Sequence, residues 1–439
     1  MNNSLHTDIT YTAIYILILL VLYWRHRRNS INKWGIGNML LLSYVLYPII
    51  GCFWYFNTQS PYRLYVTELQ FWPFIYLAAM LYIAVYPSLQ YDKANIQRID
   101  PPPMLLLNIF AVVYILCTLM QIPLIIENLS SGLRSIMVDT AAGADMYLES
   151  QSEEVTYDGA ISNIAAIIFN IFSPLAFLLF FYYLTLERRY KWAEIGFGIC
   201  ILIKCFSSLS NGQRTEVSMS VFNIIVAYLA LRPMLPARIQ RGIRISLIIL
   251  AISIAVPFLM LSISRFGERD GGLLGGLVYY IGEAPYYFNQ FALDSDAIRH
   301  GDRTCNVFKQ LLGMPVPEGI FGVRTAYPDV AMDDSIFSTF VGDFVLDFGG
   351  TTTAIVFILF SIIFTQLTRT NAPNTIPFHR LVLAYFAMSV CMQGGMYLFN
   401  YAFEGNLQII AILHIDKFRG FIYNTGAAHF YRQCLYSFI

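Results

Sequence analysis

ITYTAIYILILLVLYW, residues Ile9 to Trp24, carries no charge from end to end and is closed by Arg25, Arg27 and Arg28. A helix that crosses roughly 30 Å of hydrocarbon needs about 20 mainly apolar residues. With its flanks this run is long enough, and it reads as an anchoring helix whose C-terminal end lies in the cytoplasm. No basic stretch precedes it and no A-x-A-like cleavage site follows, so it does not read as a removed signal peptide. The same pattern recurs along the chain, with further spans expected at 35–56, 70–87, 104–126, 161–186, 193–209, 215–231, 245–263, 351–368, 380–399 and 401–415. The last is short and interrupted by Glu404. The expected fold is an all-α polytopic membrane protein of about 11 transmembrane helices, with 10 to 12 allowed, forming one integral membrane domain over 1–439.

Composition agrees. Of 439 residues 57% are hydrophobic and 13% charged, where a soluble domain has about 25% charged; mean hydropathy is +0.56. Net charge is zero, so no bulk electrostatic attraction to nucleic acid is expected. Most of the seven cysteines fall inside apolar runs, where the thiol behaves as a small hydrophobe. No CxxC pair or HxxxH spacing is present, so neither a zinc site nor a disulfide framework is indicated.

Lys and Arg gather in alternate short connections, from Arg25, Arg27 and Arg28 through Lys93, Arg98, Arg188, Arg189, Arg238 and Arg241 to Arg369 and Arg380. Under the positive-inside rule these face the cytoplasm. Two long polar segments, 127–160 and 264–350, then face away from it. The second interrupts the run of spans with arginines, aspartates, glycines and aromatics, and is the expected place for chemistry.

Several pieces of it stand out. Ser264 to Asp270 (SRFGERD) spaces Arg265 and Arg269 four apart. That pair either binds a phosphate or pyrophosphate or is neutralised by Glu268 and Asp270 as weak surface ion pairs. Leu273 to Phe291 is too rich in glycine for a regular span and reads as an interfacial or re-entrant helix. Its Tyr286 and Tyr287 offer faces for sugar rings, or simply belong to an interfacial aromatic belt. Arg324 and Tyr327 precede a dense acidic piece. Within it Asp343 and Asp347 stand four apart, which puts both carboxylates on one helical face. Either both face bulk solvent, or a cation lies between them, or one is held protonated, as a general acid or base requires. Phe340, Phe344 and Phe348 make a parallel apolar stripe for packing. His300, in IRHGDRT, is a secondary base candidate. Outside this loop, Ser207 to Thr215 (SSLSNGQRT) is a turn whose Arg214 faces either an anionic ligand or the headgroup layer.

The order of Asn211-Gly212-Gln213-Arg214-Thr215, Ser264-Arg265-Phe266-Gly267 and Asp347-Phe348-Gly349-Gly350 within this pattern of spans resembles the O-antigen polymerases (Wzy) among the oligosaccharide repeat-unit polymerases. The resemblance implies an inverting membrane glycosyltransferase of the bacterial inner membrane that needs no metal or other cofactor. It would polymerise undecaprenyl-pyrophosphate-linked repeat units at the periplasmic face, in company with membrane lipid and a chain-length regulator. The implied pyrophosphate ligands are Arg214, Arg265, Arg269 and Arg324; the general base is Asp343, Asp347 or His300; Tyr286, Tyr287 and Tyr327 would hold sugars. Two other classes remain open at this point: a flippase or transporter of lipid-linked oligosaccharide, and an O-antigen ligase. A transporter would show internal repeats and charges within its spans; no internal repeat is found, and apart from Lys204 the spans are nearly free of charge. A ligase would use the same donor and similar arginines.

Overall fold

The computed structural model describes residues 2–57, 60, 66–128, 160–210, 214–246, 248–249, 272–295, 297–317, 319–330, 336–368, 374–398 and 406–410. Its helices include α1 (Asn2–Asn29), α2 (Ile36–Tyr55), α3 (Phe71–Ala94), α4 (Met104–Leu119), α5 (Ala160–Thr185), α6 (Lys191–Ser210), α7 (Arg214–Leu231), α8 (Gly272–Gly282), α9 (Ala284–Tyr287), α10 (Asn306–Leu311), α11 (Gly319–Ala326), α12 (Thr339–Thr368) and α13 (Phe378–Gly394). Seven described stretches are long and apolar enough to cross a membrane: Leu5–Asn29, Ile36–Tyr55, Phe71–Ala94, Met104–Asn128, Asn163–Thr185, Val217–Met234 and Thr339–Thr368. The chain is thus an all-α polytopic membrane protein. Of the eleven expected spans, 193–209 and 380–399 are also helical, as α6 and α13; α13 has 17 residues, the short limit for a crossing. The expected spans at 245–263 and 401–415 lie mostly outside the described residues.

The helices carry apolar side chains on their exposed as well as their buried faces. On α4, Leu105, Ile109, Val112 and Leu116 recur three and four apart and stay exposed, while Ala111, Tyr114 and Thr118 turn inward. An exposed aliphatic stripe of this kind suits lipid, where burying it brings no hydrophobic gain. Between helices, tyrosine hydroxyls donate to backbone carbonyls: Tyr44 to Cys391 (2.6 Å), Tyr91 to Ala230 (3.0 Å) and Tyr385 to Pro174 (2.9 Å). Each ties two helices with a group that would otherwise cost free energy to bury.

At one end of the bundle, α2 begins without a side-chain cap of its own. The cap comes from α3. Asp92 Oδ2 accepts the Asn38 backbone N–H at 3.2 Å and lies 3.3 Å from His26 Nε2, which in turn is 3.0 Å from Ser30 Oγ. A carboxylate there meets the unpaired N–H groups and positive dipole of the helix start. Gly35 makes the approach possible, since a Cβ on it would fall 2.3 Å from Asp92 Oδ1. Nearby, Arg98–Asp100 and Thr375–Pro377 form a two-stranded parallel pair, β1 and β2, with Arg98 opposite Thr375.

The opposite end carries the long polar segment. Leu273 to Phe291, expected as interfacial or re-entrant, folds into α8, α9 and a π-helical turn at Phe288–Ala292. It meets α2 glycine on glycine: a Cβ on Gly282 would lie 2.4 Å from the Gly51 nitrogen. The π turn aims Asn289 and Gln290 at the chain before α3. Asn289 exchanges two 2.7 Å bonds with the Gln70 backbone, and Gln290 Oε1 accepts the Thr67 N–H at 2.6 Å.

Candidate functional site

The site begins at Gly349, where α12 breaks. With φ 76° and ψ 162°, this residue occupies a region open to glycine and strained for any other. The residues before it, 339–348, form one arm of a V and the residues after it the other. Phe340 and Phe344 close the V on Phe357, at 4.9 and 5.5 Å between ring centres. The aromatic stripe read from the sequence is therefore a packing face.

Breaking a helix leaves its last carbonyls without partners. At the apex of the V the chain at 299–301 supplies them. Arg299 N–H donates to Leu346 O at 2.8 Å and Gly301 N–H to Asp347 O at 3.1 Å. Gly301 is left-handed at φ 79°, and a Cβ there would sit 2.8 Å from the Phe348 ring. Between these two, His300 is held at φ 51°, an uncommon conformation for a residue with a side chain.

Docking the backbone in this way aims the charges. Arg299 Nε donates to Asp347 Oδ1 at 2.7 Å and its terminal nitrogen to Asp343 O at 3.2 Å; Thr304 N–H donates to Asp347 Oδ2 at 2.7 Å. Both Asp347 oxygens are thereby occupied. Asp343 Oδ2 accepts the Leu398 N–H at 3.0 Å, and the charges of Arg303 and Arg299 act on it. Asp343 is 1% and Asp347 0% exposed. Arg303 donates to the Tyr397 hydroxyl and lies 5.7 Å from that ring's centre. Asp302 pairs with Lys309 and accepts from Tyr327 OH at 2.5 Å. Three buried carboxylates, Asp302, Asp343 and Asp347, thus meet three cations, Arg299, Arg303 and Lys309. The two aspartates do share a face, and the cation set against them is arginine.

Of the sequence candidates, the structure brings Asp343, Asp347, His300 and Tyr327 together. His300 alone among the three base candidates is exposed, with its ring 6.5 Å from that of Tyr327. Tyr327 is half-buried, and Arg324 stands one helical turn before it, also half-buried. Tyr286 and Tyr287 require a correction, because both are closed off from any sugar. Tyr286 stacks on Tyr55 at 5.1 Å between Trp54 and Phe74, with its hydroxyl 2.8 Å from Pro48 O. Tyr287 packs on Phe291 at 4.6 Å. Pro285 and the small residues Gly51, Gly282 and Ala284 draw this turn against α2, and its aromatics fill the interface. Arg214 opens α7, but its side chain lies outside the described residues, as do Arg265 and Arg269 entirely.

Sequence reasoning gave no role to Arg299, Asp302, Arg303 or Glu283. The Arg299–Arg303 spacing of four was as visible as that of Arg265 and Arg269, yet nothing local shows that it turns inward. Glu283 is fully enclosed, with Oε1 accepting the Phe337 N–H at 3.1 Å. Burial pushes its carboxyl up to about 8, against the opposing pull of the Phe337 and Tyr279 hydrogen bonds. It ties α9 to the chain that enters the V.

Among the described residues, no group of three or more His, Cys, Asp or Glu side chains is placed to hold a metal ion. Comparison with protein-family models, with curated proteins and with solved structures returned no match for this chain. What fold and site define together is a class: a multi-pass helical membrane protein with a buried polar site built where its long loop closes on α12.

Proposed function

We propose that this protein is a glycosyltransferase that polymerises undecaprenyl-pyrophosphate-linked repeat units of O-antigen or a related surface polysaccharide, at the periplasmic face of the bacterial inner membrane. The observation that carries this reading is the role of Asp347-Phe348-Gly349-Gly350. This motif of the resemblance is the point where the helix breaks and the polar loop docks on it, so the loop is an organised site on a membrane bundle.

In this reading the acceptor sugar hydroxyl attacks the anomeric carbon of the donor chain. The carbon–oxygen bond to pyrophosphate breaks, its electron pair leaves with the pyrophosphate, and the hydroxyl proton passes to a base. Exposure favours His300 as that base, and imidazole is the side chain most often used so. Asp347, closed in and paired with Arg299, and Asp343, closed in and bonded to the Leu398 N–H, position the loop. Tyr327 offers its ring to a sugar, and Arg324, with Arg214, Arg265 and Arg269, stabilises the leaving pyrophosphate.

The test is polymerisation of a lipid-linked repeat unit by purified protein in vesicles. His300→Ala should lower kcat by about 10²–10⁴-fold, the usual contribution of a general base, with little change in KM or in protein level. Full turnover by this variant would remove His300 from the mechanism. Failure of the unsubstituted protein to extend the lipid-linked unit would remove the function itself.

A further inference from the structure

Residues 310 to 317, QLLGMPVP, contain no charged side chain, yet they lie at the surface of the most polar part of the chain. Leu311 is 72% exposed, Leu312 77% and Met314 48%. The stretch is not a loose connector. Gly313, left-handed at φ 72°, ends α10 with a paired cap: Met314 N–H donates to Lys309 O at 3.0 Å and Gly313 N–H to Gln310 O at 2.9 Å. Such a cap is usually closed by an apolar contact between the residue after the glycine and the residue whose carbonyl it bonds. Here that second residue is Lys309, and its ammonium is drawn to Asp302. Met314, just after the glycine, stays 48% exposed. The fold holds Leu311, Leu312 and Met314 outward and spends Lys309 elsewhere.

We propose that this tip is a membrane-surface anchor whose partner is phospholipid of the adjoining leaflet. What points to lipid is the short, rigid connection to the lipid-facing surface. Lys309 is tied to Asp302, Gly301 to Asp347, and Gly301 packs on Phe348. Directly after the break at Gly349, α12 turns exposed Ile355, Ile358 and Leu359 outward, the stripe that a bilayer covers. The tip follows the segment docked at the start of that stripe, and in this proposal it meets the boundary between acyl chains and headgroups. Aliphatic side chains without charge fit there, as on interfacial segments seated about 5–10 Å into that boundary. Anchoring the tip would hold α10, and with it Asp302 and His300, at a fixed height above the membrane.

The test uses the full chain with its seven native cysteines replaced, carrying Leu312→Cys or, as a water-exposed comparator, Asp329→Cys. Each is labelled with an environment-sensitive fluorophore and reconstituted in phosphatidylcholine–phosphatidylglycerol vesicles with or without a shallow nitroxide lipid. The expected result is roughly twofold stronger nitroxide quenching at 312 than at 329, as for a group within the headgroup boundary, unchanged when protein is diluted with lipid. Equal quenching at the two sites, with equal access to aqueous iodide, would overturn the proposal. Protection at 312 that rises with protein density and ignores the nitroxide lipid would overturn it too, in favour of a second copy of the chain. Should Leu312→Cys fail to fold, Met314→Cys carries the same readout.

Discussion

Asp347 and Arg299 show how a charged pair is kept inside an apolar bundle. Each oxygen of the carboxylate accepts a hydrogen bond, one from Arg299 Nε at 2.7 Å and one from the Thr304 N–H at 2.7 Å. Removing one partner of such a pair leaves an uncompensated buried charge and costs about 3–5 kcal/mol. Arg299→Ala should therefore lower the melting temperature of detergent-solubilised protein sharply. The double change Arg299→Met with Asp347→Leu should recover most of the loss, because paired apolar groups are often neutral in place of a buried ion pair. Additive losses would mean that the pair is not coupled. Glu283 gives a prediction in pH. Its carboxyl is raised from the usual 4.5 to about 8 by burial, so between these values the folded protein binds more protons than the unfolded chain. Stability contributed here is full below the unfolded value and is lost as pH rises toward about 8, with no further change above it. Melting temperatures across this range should fall with pH in the native protein and less in Glu283→Gln; identical slopes would show that the group does not titrate there.

At the scale of elements, α2 depends on a residue of α3 for its N-terminal cap. Asp92→Ala removes the acceptor for the Asn38 N–H, and loss of a helix cap costs about 0.5–2 kcal/mol. Gly35→Ala should be worse, since its methyl group would fall 2.3 Å from Asp92 Oδ1 and must displace the cap to fit. Thermal melts of the two single variants would check the order; equal stability of Gly35→Ala and the native chain would mean that the helix start yields easily. These contacts also show what the sequence could tell. Spans were legible because apolar runs of helical length report their own environment, and Phe340, Phe344 and Phe348 announced a packing face by spacing alone. The Asp343–Asp347 face was legible for the same reason. Its partners were not, because Arg299 is 48 residues from Asp347 in sequence and reaches it only after Gly349 breaks the helix. Tyr286 misled the reading: an aromatic in a glycine-rich polar loop looks available for a ligand until Gly51 and Gly282 bring the helices into contact over it.

For the whole molecule, the Arg25–Arg28 end of α1 and the 299–327 site are expected on opposite sides of the membrane, as the charge of the short connections implies. A membrane-impermeant thiol reagent applied to cells with permeabilised outer membranes should label Asp329→Cys and leave Arg28→Cys untouched; the reverse would invert the topology. The central claim concerns what the site makes. In a strain that lacks this gene the account predicts surface lipopolysaccharide core carrying a single repeat unit, with long chains restored by the native gene and not by His300→Ala. The most direct measurement is the length distribution of that surface glycan. Unchanged long chains in the deletion strain would contradict the account, as would absent surface glycan with long lipid-linked chains retained, or repeat units stalled at the cytoplasmic face.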